Sequence, residues 1–282
     1  MSLTNRCGWV LAAALVGSMG IDAQKGPALP DLRRAAADYV LRYAQQLSAV
    51  AAEEDSLQLN TSAQEFTPRH LRSDVVLVGL DDGFVAGFRD VFEENGAAAA
   101  QRQVRPLTRF RMPPTAALLA QARALSVESR RRYISPALGL LDEPTLPLQC
   151  LARKNQARFT FTLESVSTMD GSQVAVLRFE ERGTPRLIPS PDNTPVSGRL
   201  WIDVVSGAVT RTELVLRGTD FEYRTTVTYK MDPTLRLWLP VGMQQRVDLV
   251  TRLNSDDITN SLIARQSFEA RTTYSAFRFL RE

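Results

Sequence analysis

The stretch GRLWIDVVSGAVTRTELVL, residues 198–216, decides the fold class. Two runs of strand-forming residues flank the turn signal Ser206-Gly207. A two-residue loop at Ser-Gly is one solution. A four-residue loop over 204–207 is preferred, because Asp203 can then accept a hydrogen bond from the backbone two residues on. Gly207 takes the left-handed conformation that closes it. That register pairs Ile202 with Val209 and Trp201 with Thr210.

The same period of two continues on both sides. RFTFTLES puts Phe159, Phe161 and Leu163 on one face and Arg158, Thr160, Thr162 and Glu164 on the other. FEYRTTVTYK sets Phe221, Tyr223, Thr225, Val227 and Tyr229 against Glu222, Arg224, Thr226, Thr228 and Lys230. With QVAVLRFEER, LRLWLPVGMQQRVDLV and a last pair around 261–280, about seven strands follow Gln156. Short turns between them mean antiparallel neighbours. GTPRLIPSPDNTPVSG, 183–198, holds four prolines and reads as a loop or irregular edge.

Before Gln156 the pattern is mixed. Leu32, Ala36, Tyr39, Val40, Tyr43, Leu47 and Val50 make one apolar stripe of a helix opened by Asp31. Residues 51–60 start a strand, 70–80 form a stronger one, and 84–92 returns after a turn at 81–83. Thr115 caps a second helix, 116 to about 132, whose one side carries Leu118, Ala122, Leu125 and Ser129. A short helix is expected over 143–154. The domain plan is therefore a signal peptide at 1–23, a linker at 24–30, and one α+β domain at 31–282. That domain has a helix-containing half, 31–155, and an antiparallel meander, 156–282.

The N-terminal reading rests on Arg6, the apolar run WVLAAALVGSMG and Ala23 before the cut. It implies an exported, periplasmic, soluble chain with no membrane-spanning segment once the signal is removed. Cys7 leaves with the signal, so Cys150 stands alone and reads as a buried, inert thiol. Net charge is +3, with 34 basic and 31 acidic residues. The basic clusters Arg102, Arg105, Arg109, Arg111 and Arg130–Arg132 lack interleaved aromatics, and nucleic acid is not an expected partner.

Catalytic signals are thin. His70 is the only histidine, which removes most histidine metal sites and leaves one candidate general base. There is no G-x-S-x-G elbow, no P-loop and no G-x-G-x-x-G. The acid pairs Glu53-Glu54, Asp81-Asp82, Glu93-Glu94 and Asp256-Asp257 read as solvated turn residues. No catalytic residue, metal or cofactor is expected, and the chain reads as a non-enzyme. A hydrolase using His70 is kept as a lesser reading.

Residues 198–214, followed by LRLWLPVGMQQRV, resemble the paired strand signatures of bacterial envelope lipoprotein carriers (LolA/LolB-like). Trp201, Ile202, Asp203, Gly207, Val209, Arg211, Glu213, Trp238, Leu239 and Pro240 carry the likeness, which is close over roughly 196–247. The resemblance implies a strongly curved antiparallel sheet, an incomplete β-barrel, with helices packed on or across its concave face. It also implies a hydrophobic ligand, a lipid or lipoprotein acyl chain, or a lipidated protein as partner. Candidate lining residues are Phe159, Phe161, Leu163, Phe221, Tyr223, Val227 and Tyr229, with 95–155 as the lid. Periodicity does not separate a lined pocket from a filled core. An envelope interaction or scaffold protein of the same fold, with a partner protein and no cavity, therefore stands beside the carrier reading.

Overall fold

The computed structural model describes residues 27–47, 49–62, 68–79, 85–99, 107, 115–139, 141–169, 171–190, 192–253 and 262–280. The expected signal peptide, the turn at 81–83, the cluster Arg102–Arg111 and the pair Asp256-Asp257 lie outside the described residues. Helix α1 spans Leu29–Gln46, α2 Ala116–Arg130, and a single turn α3 Arg153–Gln156. The strands are β1 Val50–Asn60, β2 Arg69–Gly79, β3 Val85–Glu94, β4 Ala97–Ala98, β5 Phe159–Met169 and β6 Ser172–Glu181. They continue with β7 Val196–Asp203, β8 Val209–Arg217, β9 Phe221–Asp232, β10 Leu237–Leu253 and β11 Leu262–Phe279. All join one open antiparallel sheet in the order β4-β3-β2-β1-β11-β10-β9-β8-β7-β6-β5. The seven strands from 159 onward form a meander. The first four attach to it because β1 pairs with β11.

The hairpin of 198–216 closes over 204–207. The Asp203 amide donates to Ala208 O at 2.8 Å, Ile202 faces Val209, and Gly207 has φ +73°. Two details differ from the sequence reading. The Asp203 carboxylate accepts from Ser206, three residues on rather than two, through its amide at 2.7 Å and its hydroxyl at 2.6 Å. A bulge shifts Trp201 onto Arg211 instead of Thr210, and there the guanidinium lies 4.8 Å from the indole centroid.

Helix α1 begins with Pro30 in its first turn, a position that needs no amide. It ends at Gln46, short of the apolar stripe, and Val50 belongs to β1. Leu47 leaves the helical conformation, and its carbonyl instead accepts the Gly79 amide at 2.6 Å. Two glycines record how closely α1 is held. A Cβ on Gly79 would fall 1.7 Å from Ala44 O, and one on Gly207 would fall 2.6 Å from Ala35 O. Strands β2 and β8 are five interstrand steps apart, about 24 Å measured along a sheet. Ala35 and Ala44 are separated by only about 14 Å of helix. The helix is thus a chord to a longer arc, so the sheet bends around it.

The concave face is identified by its buried set: Leu71, Val75, Leu77, Ala175, Leu177, Phe179, Leu200, Ile202, Leu214, Leu216, Tyr223, Val227 and Tyr229, packed with α1 in one cluster. The remaining volume is taken by the chain itself. The described residues of 132–152 lie on this face with Tyr133, Leu138, Leu141, Leu148, Cys150 and Leu151 buried in the same cluster. This segment is called the plug below. Its regular structure is two 3-10 turns, Pro136–Gly139 and Leu146–Leu151, followed by α3. A continuous helix over 143–154 is not formed, because Ala152 is extended and separates the second 3-10 turn from α3.

Helix α2 lies elsewhere. Ala122 packs with Val76, Val78 and Phe88, the opposite face of β2 and β3, in a second cluster. Thr115 caps it as expected, its hydroxyl accepting from Leu118 N at 3.2 Å. Ser126 and Ser129, one turn apart, accept the Arg89 and Val91 amides at 2.8 and 3.0 Å. These amides belong to the strand edge beyond which, among the described residues, only the two-residue β4 pairs. The helix covers an edge that would otherwise be open to pairing with another chain.

Candidate ligand site on the concave face

The seven residues expected to line a pocket fall in two places. Phe159, Phe161 and Leu163 lie near the β5 edge. Phe159 is buried and meets Phe179 edge-on at 5.9 Å between centroids. Phe161 is half-buried beneath the Arg33 guanidinium of α1, 4.9 Å from its ring, and Leu163 packs half-buried against the same cluster. The other four lie on β9. Tyr223, Val227 and Tyr229 are 2%, 0% and 2% exposed, and Phe221 is half-buried at the strand start.

What covers β9 is the plug, and the strands hold it by its main chain. The Tyr223 hydroxyl donates to Leu141 O at 3.1 Å and the Tyr229 hydroxyl to Pro144 O at 2.6 Å. On β10, Gln245 Nε2 donates to Leu138 O and Leu141 O at 3.1 and 3.2 Å and also to the Tyr223 hydroxyl. On β1, Gln58 Oε1 accepts the Ile134 amide at 2.9 Å. Arg69 of β2 donates to Arg132 O at 2.5 Å, and Arg89 of β3 to Asp142 O at 3.0 Å. A segment without a ladder of its own must find partners for its buried peptide groups. Here five strands supply them.

The middle of the plug is fixed by buried charge. Arg89 makes a paired contact with Glu54 at 2.6 and 2.5 Å and reaches Asp142 Oδ2 at 2.7 Å. Arg130, at the end of α2, meets both Asp142 oxygens at 3.0 and 3.1 Å. Burial alone would lower the Arg89 pKa, but Glu54, Tyr133 and Asp142 outweigh it and hold the guanidinium well above its ordinary value. Each acid of the network meets a guanidinium, which suits groups that cannot be left alone in the interior. Glu54 is therefore not a solvated turn acid. Its neighbour Glu53 pairs more loosely with Arg72, at 3.5 Å.

Next to this network sits Glu143. Its carboxyl lies against the Gly87 backbone, where a Cβ would fall 1.6 Å from Oε2, and it accepts from the Thr145 hydroxyl at 2.8 Å. Burial raises its pKa to about 7, an effect that the Thr145 hydrogen bond only partly offsets. The buried Tyr43 of α1 has its own pKa raised well above normal by burial, with Tyr229 and Glu143 among its neighbours. Among the described residues the Tyr43 hydroxyl has no hydrogen-bond partner, and nor does that of Thr225.

The catalytic candidates do not converge. The His70 ring faces Asp55 at 2.9 Å on an exposed part of β1 and β2. Cys150 is buried, its thiol donates to Pro147 O at 3.1 Å, and burial raises its pKa. The two are not hydrogen-bonded to each other. Arg130 and Arg132, of the second basic run, are absorbed by Asp142, Glu94 and Glu128. Among the described residues no helix is long and apolar enough to cross a membrane.

Sequence reasoning missed Glu54, Gln58, Arg89, Asp142 and Gln245. One signal was available. In VAAEEDSLQLN the inward residues Glu54, Ser56 and Gln58 are buried while Leu57 is exposed, so the polar phase of this strand, not the apolar one, faces the core.

No family profile matches this sequence, and no curated protein matches it. Solved structures similar to it include a domain described as an outer membrane lipoprotein-sorting protein from Vibrio parahaemolyticus, at 13% identity and TM-score 0.38, covering 89% of this chain and 90% of that one. A DUF1329 family protein from Desulfovibrio piger is similar at 10% identity and TM-score 0.37, covering 87% and 92%. A LolA superfamily protein from Nitrosomonas europaea is similar at 12% identity and TM-score 0.38, covering 86% and 93%.

Proposed function

We propose that the chain is a non-enzymatic, exported periplasmic protein that binds a hydrophobic ligand, a lipid or a lipoprotein acyl chain, on the concave face of its half-barrel. The seven candidate lining residues are its contact surface, and the plug vacates that surface when the ligand enters. The observation that carries this reading is the way the plug is held. Strand side chains bond to its peptide groups from Ile134 to Pro144, contacts that water or a lipid headgroup can replace. The plug's own apolar side chains, Leu138, Leu141, Leu148 and Leu151, sit in the acyl chain's place. Burial of such side chains stabilises by roughly 25 cal/mol per Å² of apolar surface, and an acyl chain offers the same exchange.

The test is native mass spectrometry of the purified protein together with titration of a fluorescent fatty-acid probe. Co-purified lipid or saturable uptake supports the reading. Absence of both overturns it and leaves the second reading, an envelope scaffold with a permanently filled core. The near-complete burial of Tyr223, Val227 and Tyr229 favours that alternative.

A further inference from the structure

Three successive hairpins, β5–β6, β7–β8 and β9–β10, turn at the same rim of the sheet, because antiparallel strands return every second turn to one end. Each tip carries a large apolar side chain in solvent: Met169 at 51% exposure, Val205 at 90% and Met231 at 47%. A valine so exposed in a turn gains nothing from the fold. Single exposed apolar residues are ordinary, but these continue into an outer-face groove of about 540 Å³ lined by Met169, Met231, Trp201, Trp238, Arg211 and Lys230. Trp201 is half-buried in the outward phase of β7, and Trp238 is half-buried between this groove and the main buried cluster.

The charges at this rim are unbalanced in availability. Elsewhere the outer face is laced with ion pairs, such as Arg199 with Glu164 at 2.7 Å and Arg246 with Glu269 at 2.8 Å. Arg211, Lys230 and Arg236 make no ion pair with any described residue, and all three are exposed. Two acids share this rim, Asp203, which also lines the groove, and Asp232, so that cations outnumber acids only slightly among the described residues. Asp203 accepts from Ser206, and Asp232 accepts the Thr234 and Leu235 amides at 2.9 and 2.8 Å.

Protruding apolar tips, indole rings and cations outside any ion pair among the described residues, on one edge, make up the composition of an interfacial anchor. We propose that this rim docks the protein on an anionic lipid bilayer, with Met169, Val205 and Met231 entering the headgroup–acyl boundary and Arg211, Lys230 and Arg236 facing lipid phosphates. The inference is independent of whether the concave face admits cargo. A few apolar tips with a basic patch give reversible binding, not permanent insertion.

The experiment uses the full chain carrying Trp9→Phe, so that Trp201 and Trp238 are its only indoles. Vesicles of phosphatidylcholine with and without phosphatidylglycerol, including bromine-labelled acyl chains, are the probes. Binding to the anionic vesicles, weakened by salt, with quenching of the indoles by the bromines is expected. The triple variant Met169→Asp, Val205→Asp, Met231→Asp should lower partitioning by about tenfold or more, with unchanged circular dichroism. A second variant, Arg211→Gln with Lys230→Gln, should remove the preference for anionic lipid. Unquenched indoles, equal binding to neutral vesicles, or triple-variant binding equal to the parent would overturn the proposal. Capture of a protein partner by this rim in place of vesicles would overturn it equally.

Discussion

The phenol of Tyr229 donates a 2.6 Å hydrogen bond to the carbonyl of Pro144, 85 residues away along the chain. The bond joins the middle of the curved sheet to the segment that fills it. With Tyr223 and Leu141 it makes two tyrosine tips clamp one run of backbone. The interior is thus apolar in its walls and polar at the points where it grips its occupant.

Tyr223→Phe and Tyr229→Phe should each destabilise the protein by about 1 kcal/mol, the usual net worth of a buried hydrogen bond, more if the carbonyl stays dry. Chemical denaturation measures the sum. Native-state hydrogen exchange should place the loss in residues 134–148, with α1 protection nearly unchanged.

Gly207→Val should cost about 2 kcal/mol or more, because it combines a positive φ with a contact against Ala35. Gly171→Val is the matched control. Its φ is +80° but no atom lies within 4 Å of the added Cβ, so about 1 kcal/mol from the backbone alone is expected. Equal losses at both sites would show that α1 does not press on the β7–β8 turn.

Removing Arg89 leaves Glu54 and Asp142 without their shared cation in a buried site. Arg89→Met should destabilise by about 3–5 kcal/mol. The double variant Arg89→Met, Glu54→Leu should recover part of this, since a missing pair is cheaper than an orphaned charge. Thermal unfolding of the two variants gives the comparison.

Glu143 sets a pH dependence. Its folded pKa of about 7 lies above the unfolded value of 4.5, so the folded state holds an extra proton between these limits. Its contribution to stability is full below about pH 4.5 and is lost as pH rises through 7. The groups facing it are Thr145, Asp142 and Arg89, with Tyr43 and Tyr229 across from them. Glu143→Gln should flatten the stability–pH profile over this window.

The strands from Phe159 onward were legible because one face of each is apolar and their turns carry glycine, proline or aspartate. Gly207 announced its own positive φ. Two things were not legible. The bulge that moves Trp201 from Thr210 to Arg211 has no local marker in the sequence. Residues 143–154 read as a short helix, while the partners of the plug are Gln58, Arg89, Tyr223, Tyr229 and Gln245 on distant strands. Hydrophobic periodicity does not report such contacts. At β1 it points the wrong way, since Glu54, Ser56 and Gln58 are buried there.

Hydrogen exchange with a long-chain fatty acid added is the most direct measurement of the central claim, that residues 132–152 occupy the space of a hydrophobic ligand and yield it. The expected result is faster exchange of the amides from 134 to 148 on saturation, with α1 and β9 as protected as before. Saturating uptake with unchanged protection of these amides would contradict the claim, as would the absence of uptake in a Tyr223→Phe, Tyr229→Phe protein whose plug amides exchange freely.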